Sequence, residues 1–358
     1  MDHPLTIGII GPLPPPSGGM ANQTQQLARL LSEESLRVEV VQTNAPYKPA
    51  CIGRLPIIRA MFRLFFYAIN LWRSAGRVDV FHIMANSGWS WHLFTMPAVW
   101  IAKFRNTETI VNYRGGKAEN FFKQSYKSVR PTLNASSKIV VPSRFLEEVF
   151  TKRNIKTQII PNIIDLDRFT PEHSKNKVQS PHLLVARNLE SIYNNSMAIH
   201  TLSEIKKTYP KAMLTIAGSG PELDKLNALV KELDLTESVQ FTGRVDTQDM
   251  PALYQSADVM LNTSRVDNMP NSILESLASG VPVVSTDVGG IPYMVEHNKN
   301  VLLVKNEDTA AMVASVLDIL EDAQLRESLI AAGRELVSQF SWQKVKVLWI
   351  DTYKELSH

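Results

Sequence analysis

A chain of 358 residues exceeds one ordinary core and, at roughly 150 residues per domain, suggests about two domains. With 44% hydrophobic and 20% charged residues it reads as a folded protein, which excludes a disordered one. The single cysteine, Cys51, excludes a disulfide scaffold and a cysteine-rich zinc module, and it fits a reducing compartment such as the cytoplasm. Residues 1–170 hold 21 Lys+Arg against 11 Asp+Glu, whereas residues 171–358 hold 17 against 24. A basic half beside an acidic half suggests two domains with different partners. The basic half suits an anionic membrane face or an anionic acceptor; the plainer alternative is an ordinary basic surface. Its basic residues are dispersed and no recognition motif is present, so nucleic acid is not an expected partner.

The opening MDHPLTIGIIGPLPPPSGG lacks a basic leader and a cleavage site, so no signal peptide is expected. No uncharged apolar run reaches the length of a membrane span. A first apolar run covers 6–11. Gly11-Pro12 and Ser17-Gly18-Gly19-Met20 then lead to a helix expected near Asn22. Glycines there let backbone approach a phosphate or sugar, although a flexible prolyl loop is the plain alternative. After a second run at 37–43, the segment 55–72 has apolar residues at 57, 58, 61, 62, 65, 66 and 69, with Arg59 and Arg63 among them. That spacing predicts an amphipathic helix, docked on its own domain in preference to a membrane surface.

Further runs follow at 78–84, 108–113, 138–142 and 158–161. His82, among apolar residues, reads as a core histidine. Trp89 and Trp91 can pack or line an acceptor groove. Arg114 and Lys117, just after the run 108–113, can meet phosphate or an anionic acceptor, or form a solvated basic turn. The polar, proline-containing stretch 163–181 reads as a linker. A second series occupies 182–187, 213–217, 239–242, 258–262, 281–286 and 301–304. These runs are short and mostly unalternating, as strands buried on both faces should be, and helical segments separate them. The pattern is α/β: two doubly wound, Rossmann-like parallel sheets that face each other, with ligands expected beyond the strand carboxyl ends in an interdomain cleft. Domain one is expected over 1–170, domain two over 171–340, and a last helix over 341–358.

Arg187 ends the first strand of the second series, where its fork of donors suits a phosphate. Gly218-Ser219-Gly220 repeats the strand–turn–helix arrangement. The strongest signal is Asp267-Asn268-Met269-Pro270-Asn271-Ser272-Ile273-Leu274-Glu275. A helix beginning near Pro270, with Gly280 at its exit, would hold an anion on its first N–H groups between the two carboxylates. One acid would face a sugar, the other the hydroxyls of a ribose, with a diphosphate between. A solvated aspartate and a surface glutamate are the plain alternative. Asp165-Leu166-Asp167 has a spacing that can hold a metal-bound diphosphate, but it sits in the linker, so no metal is expected.

In order and spacing, these residues resemble glycosyltransferase family 4, the large retaining group with the GT-B fold. The resemblance extends over nearly the whole chain: GPLPPPSGGM, VPSRFLEEVF, IIPNIIDLDRF, LTIAGSGPELDKL, VQFTGRV, YQSADVMLNTS and DNMPNSILESLASGVPVVSTDVGGIP. It implies that Asp267 and Glu275 are the two acids of the E-x7-E motif, Glu275 at the ribose and Asp267 near the donor sugar. Arg187 would bind the donor diphosphate. Gly18, Gly19, Gly218, Gly220, Arg244, Asn268, Met269, Asn271 and Ser272 fall on the donor side, while Arg114 and Lys117 fall on the acceptor side. Asp165 matches a linker piece of the family, which argues further against a metal role. Three departures stand out. Asp267 replaces the usual glutamate. The stretch after Arg187 offers Asn194 and Asn195 where the family usually has a lysine. Arg114 stands where the family often has a histidine.

The expected activity is transfer of a sugar from a nucleoside-diphosphate sugar to a glycan or lipid-linked acceptor, without cofactor or metal. The last helix would cross back onto the first domain. Two other readings are a non-catalytic nucleotide-sugar-binding scaffold and a nucleotide-sugar epimerase. The expected setting is cytoplasmic, with possible peripheral contact to the inner membrane face.

Overall fold

The computed structural model describes residues 5–15, 18–45, 56–171 and 180–357. Cys51, Ser17 and residues 172–179 of the 163–181 linker fall outside them. These residues group into two compact units: Met1–Asn162 with Val345–His358, and Ile163–Lys344. Residues 163–170, assigned from sequence to the first domain, thus pack with the second unit. Ile164 N donates to Phe340 O at 2.9 Å, and Asp165 Oδ1 accepts from Arg168 N at 3.2 Å within a local turn.

In the first unit the strands are β1 (Thr6–Gly11), β2 (Arg37–Gln42), β3 (Val80–Ala85), β4 (Glu108–Tyr113), β5 (Lys138–Val141) and β6 (Gln158–Ile159). They form one parallel sheet in the order β2-β1-β3-β4-β5-β6. The second unit contains β7 (His182–Val185), β8 (Met213–Ala217), β9 (Val239–Gly243), β10 (Val259–Asn262), β11 (Val283–Thr286) and β12 (Leu302–Val304), ordered β12-β11-β10-β7-β8-β9. Central strands such as β3 and β10 are buried along their whole length, while the edge strands β2 and β9 are only partly buried. Helix cover on both faces explains the first, and exposure of one edge the second.

The helices are α1 (Gly19–Ser32), α2 (Pro56–Ala75), α3 (Met96–Phe104), α4 (Ala118–Ala135), α5 (Arg144–Thr151) and α6 (Asn195–Thr208). They continue as α7 (Leu223–Glu232), α8 (Met250–Ser256), α9 (Asn271–Ala278), α10 (Thr309–Glu321), α11 (Ala323–Ser338) and α12 (Trp342–Leu356). Helix α1 begins at Gly19, earlier than the start expected near Asn22. Helix α2 does dock on its unit through Tyr67, Leu71, Ser74 and Ala75, but much of its remaining apolar surface stays exposed.

Helix α12 closes the first unit from the far end of the chain. Lys346 pairs with Glu34 at 2.8 Å, and Thr352 bonds Gln158 at 3.1 Å. Tyr353 and Trp349 enclose His82, whose Nδ1 lies 2.7 Å from the Tyr353 hydroxyl and whose Nε2 lies 2.9 Å from Asn112 Nδ2. Both hydrogen-bonding partners are neutral. Burial, helped by the charge of Arg114, pushes the His82 pKa down to about 3. His82 is therefore the satisfied core histidine that its apolar surroundings indicated. Its folded pKa lies below the unfolded value, so the stability it lends is complete above roughly pH 6.5. That stability drains by about 1.4 kcal/mol per pH unit as pH falls toward the folded pKa. Urea unfolding between pH 4 and 7 should show this slope, and His82→Gln should flatten it.

Candidate active site

The second unit gathers its polar residues beyond the carboxyl ends of β7 and β10. Arg187 lies two residues past β7, held on three sides. Its Nε donates to Asn262 Oδ1 at 3.2 Å, its terminal nitrogen is bonded to the Asp267 carboxylate, and its guanidinium lies 5.0 Å over the Tyr193 ring. Both ion-pair side chains are only 14% exposed, so the charges meet with little water between them. Ser264 Oγ donates to Asn262 Oδ1 at 2.9 Å and contacts Asp267 at 3.3 Å. Asn262 Nδ2 in turn donates to Ser285 Oγ at 2.9 Å. A buried hydroxyl and amide layer thus fixes the arginine and its acid from below.

Pro270 is the residue before helix α9, not its first helical position; its ψ of 116° is still extended. The first turn of α9 is therefore Asn271, Ser272 and Ile273, all of which carry an N–H. Ser272 is buried, and among the described residues its Oγ has no hydrogen-bond partner. An orphaned hydroxyl at a helix start fits an anion-binding cradle. Glu275 follows about one turn later. Its Oε2 accepts from the Tyr254 hydroxyl at 2.8 Å, and Arg168 and Arg187 both act on it electrostatically. Burial still wins and raises its pKa. The phenol of Tyr254, pushed well upward by burial, stays a donor throughout the ordinary pH range. Gly280, at φ +69°, ends the helix as expected.

Two pairs of glycines shape this loop cluster by close backbone packing. A Cβ on Gly218 would lie 2.1 Å from Arg187 O, and one on Gly220 would lie 2.3 Å from Leu189 O. These glycines therefore seat the Arg187 loop by close backbone packing. Gly289, at φ +57°, and Gly290 abut the Asp267 and Asn268 carbonyls at 2.0 and 1.9 Å by the same measure. Gly290 N also donates to Asp267 O at 2.9 Å. The methyl of Gly290→Ala must displace the 268–269 peptide, whose carbonyl it would meet, at a cost of about 1–3 kcal/mol. A lower melting temperature together with a lost nucleotide-induced thermal shift is the expected result.

Other expected residues fare differently. Met269 packs its side chain in the core with Ile273 and Leu274, so only its backbone remains for a ligand. Asn268 is buried, and its N–H bonds the Asp267 carboxylate at 2.9 Å. Asn271 is half-buried, and Arg244 is exposed beyond β9. Asn194 and Asn195 turn inward: Asn194 Oδ1 accepts from Ser196 and Asn195 Nδ2 donates to Asn188 O, both at 3.0 Å. They do not supply the charge of the family lysine. Tyr193, Tyr254, Asn262 and Ser264 also build the site, and none of them is marked in the sequence, because an aromatic or small polar residue carries no spacing signal of its own.

In the first unit, Gly18 and Gly19 are exposed, with open space where a Cβ would stand. Arg114 is no solvated turn residue. Burial lowers its pKa to about 10, it is bonded to Asn162, and its contact with Gln23 spans 3.5 Å. Lys117 is exposed at the start of α4.

Known proteins are similar to this chain in sequence and in fold. The model of glycosyl transferases group 1 matches residues 168–336, and that of glycosyltransferase family 4 matches residues 17–168. A GDP-mannose-dependent alpha-(1-6)-phosphatidylinositol monomannoside mannosyltransferase of Mycobacterium tuberculosis is 29% identical over 201 residues, 52% of each chain. The match thus spans about half the length of that relative. Sucrose-phosphate synthase of Thermosynechococcus elongatus superposes with a TM-score of 0.77 at 20% identity, covering 98% of this chain and 99% of that one. HepE of Anabaena, crystallised with UDP and glucose, gives 0.75 at 17% identity, covering 98% and 100%. These likenesses assign the two six-stranded units to the GT-B fold. With its two halves matched in succession by these models, the chain belongs to glycosyltransferase family 4.

Proposed function

We propose that the protein is a retaining glycosyltransferase that moves a sugar from a nucleoside-diphosphate sugar to a glycan or lipid-linked acceptor, as part of polysaccharide or cell-envelope synthesis. One observation carries this reading: Arg187, Asp267, the first turn of α9 and Glu275 converge beyond the ends of β7 and β10. Arg187 and the α9 start would take the growing negative charge of the leaving diphosphate, binding it more strongly in the transition state than in the ground state. Glu275 would hold the ribose hydroxyls. Asp267, held by Arg187, would face the donor sugar. In a front-face route the leaving phosphate oxygen takes the acceptor proton, and no side chain need act as base. Arg114 and Lys117 remain the acceptor-side candidates of the first unit. The place of work is the cytoplasm, at the inner membrane face when the acceptor is lipid-linked.

The test begins with a thermal-shift panel of UDP-, GDP- and ADP-sugars, since a bound donor stabilises the fold by mass action. The donor that raises the melting temperature is then assayed for transfer in EDTA. Turnover that survives chelation and disappears in Glu275→Ala supports the reading. A donor that binds but is never consumed favours the scaffold, and a changed free nucleotide sugar without acceptor favours the epimerase. No shift with any donor overturns the assignment.

A further inference from the structure

The exposed large apolar side chains of this protein are unevenly placed. Among the described residues, nine of the fifteen lie between residues 61 and 104, on α2, on α3 and on the turn before α3. Phe65 is 62% exposed and Phe104 is 76% exposed. The two helices pack side by side, and the Trp72 and Phe104 rings lie 5.6 Å apart, so their exposed faces join. On α2 the Phe66 ring lies against both Phe62 and Phe65, which extends the apolar surface along that helix. A monomeric soluble surface seldom leaves so many aromatic rings together in water.

Charge over this face has one sign. Neither α2 nor α3 contains a carboxylate, while Arg63, Arg73 and Lys103 lie on them. In the whole span 56–104 the sole acid is Asp79, and its Oδ2 accepts from Thr6 N at 2.7 Å on the strand side. Cations sit directly over the rings: Arg105 lies 5.0 Å above Trp72, and Lys103 lies 5.5 Å above Trp100. Aromatic rings capped by cations match the boundary of a bilayer, where rings enter at the acyl–headgroup level and cations reach the phosphates. Among the described residues no helix is long and apolar enough to cross a membrane, so the face would lie on the surface. A second copy of the chain is a poor occupant, since it would bring the same positive charge against itself.

We propose that the joined face of α2 and α3 is a docking surface for a bilayer rich in anionic phospholipid. The docking stands apart from the transferase reading; only its purpose, meeting an acceptor held in the membrane, rests on that reading.

The test uses the full chain in flotation with vesicles of phosphatidylcholine alone or with one third phosphatidylglycerol, at low and high salt. Binding at least tenfold stronger to the anionic vesicles, weakened by salt, is the expected result. Phe104→Gln with Phe65→Gln should reduce it at least tenfold, and Lys103→Glu with Arg105→Glu should remove the preference for anionic lipid. Melting temperature and the nucleotide-induced shift should stay unchanged in these variants, which shows that the fold and the second unit are intact. Absence of vesicle binding overturns the proposal, as does binding indifferent to both pairs of changes. Sedimentation that shows a dimer broken by the same substitutions overturns it in favour of a second copy. Failure of every nucleotide sugar to bind or react, with vesicle binding retained, defeats the transferase reading and leaves the docking surface standing.

Discussion

Arg187→Ala should lower transfer by roughly a hundred- to a thousandfold, the loss usual when one preorganised donor to a developing oxyanion is removed. It should also destabilise the unliganded protein, and that second effect has a separate cause. Arg187 and Asp267 form a pair with only 14% of each side chain exposed. Removing the cation strands a carboxylate away from water, at a cost of about 3 kcal/mol. The double variant Arg187→Ala with Asp267→Asn removes both charges. It should recover most of the lost stability, read by urea unfolding, but none of the activity. Arg187→Lys keeps the charge yet loses the fork, so it should fall between the two in transfer. If Arg187→Ala changed stability alone and left turnover intact, the pair would be architectural.

Glu275→Gln should move activity and stability in opposite directions. Losing a charged acceptor for ribose hydroxyls should weaken donor binding by roughly ten- to a hundredfold. Stability should rise at neutral pH. The folded pKa of Glu275 is raised by burial above the unfolded value. Its contribution to stability is therefore greatest in acid and is lost as pH rises through the folded pKa. The glutamine, never ionised, escapes that loss and can still accept from Tyr254. Melting temperatures of the two proteins should converge near pH 4 and separate toward pH 7. Tyr254→Phe should act on the same group. Without the hydroxyl that favours the carboxylate, the pKa of Glu275 should climb further, and the acid limb of the activity profile should move to higher pH.

The sheets and the acids were readable in sequence for a simple reason. A strand buried on both faces must be apolar at every position, so its run stands out from the helices around it. A helix start between two carboxylates is likewise local, and Asp267, Asn271 and Glu275 carry it within nine residues. Boundaries were less legible. Pro270 proved to precede α9 because its ψ is extended, and α1 began early because Gly19 is already helical. Residues 163–170 joined the second unit through the pairing of Ile164 with 340–341, the bond from Gln255 to Thr170 O and the burial of Ile164 and Phe169 in its core, long-range contacts that no local pattern announces.

Sequence alone determined the α/β class, the two series of strands and the chemistry on offer: an arginine, two acids and a helix tip. Each follows from residue type and short-range spacing. Tertiary structure decided which groups touch and how they are charged. The Arg187–Asp267 pair spans 80 positions and the His82–Tyr353 contact spans 271. It also packed Gly218 and Gly220 against the Arg187 loop, drew Tyr193 under the guanidinium, and left the aromatic faces of α2 and α3 side by side in water. Those outcomes depend on desolvation and on which backbones approach one another, quantities set only when distant segments share a volume.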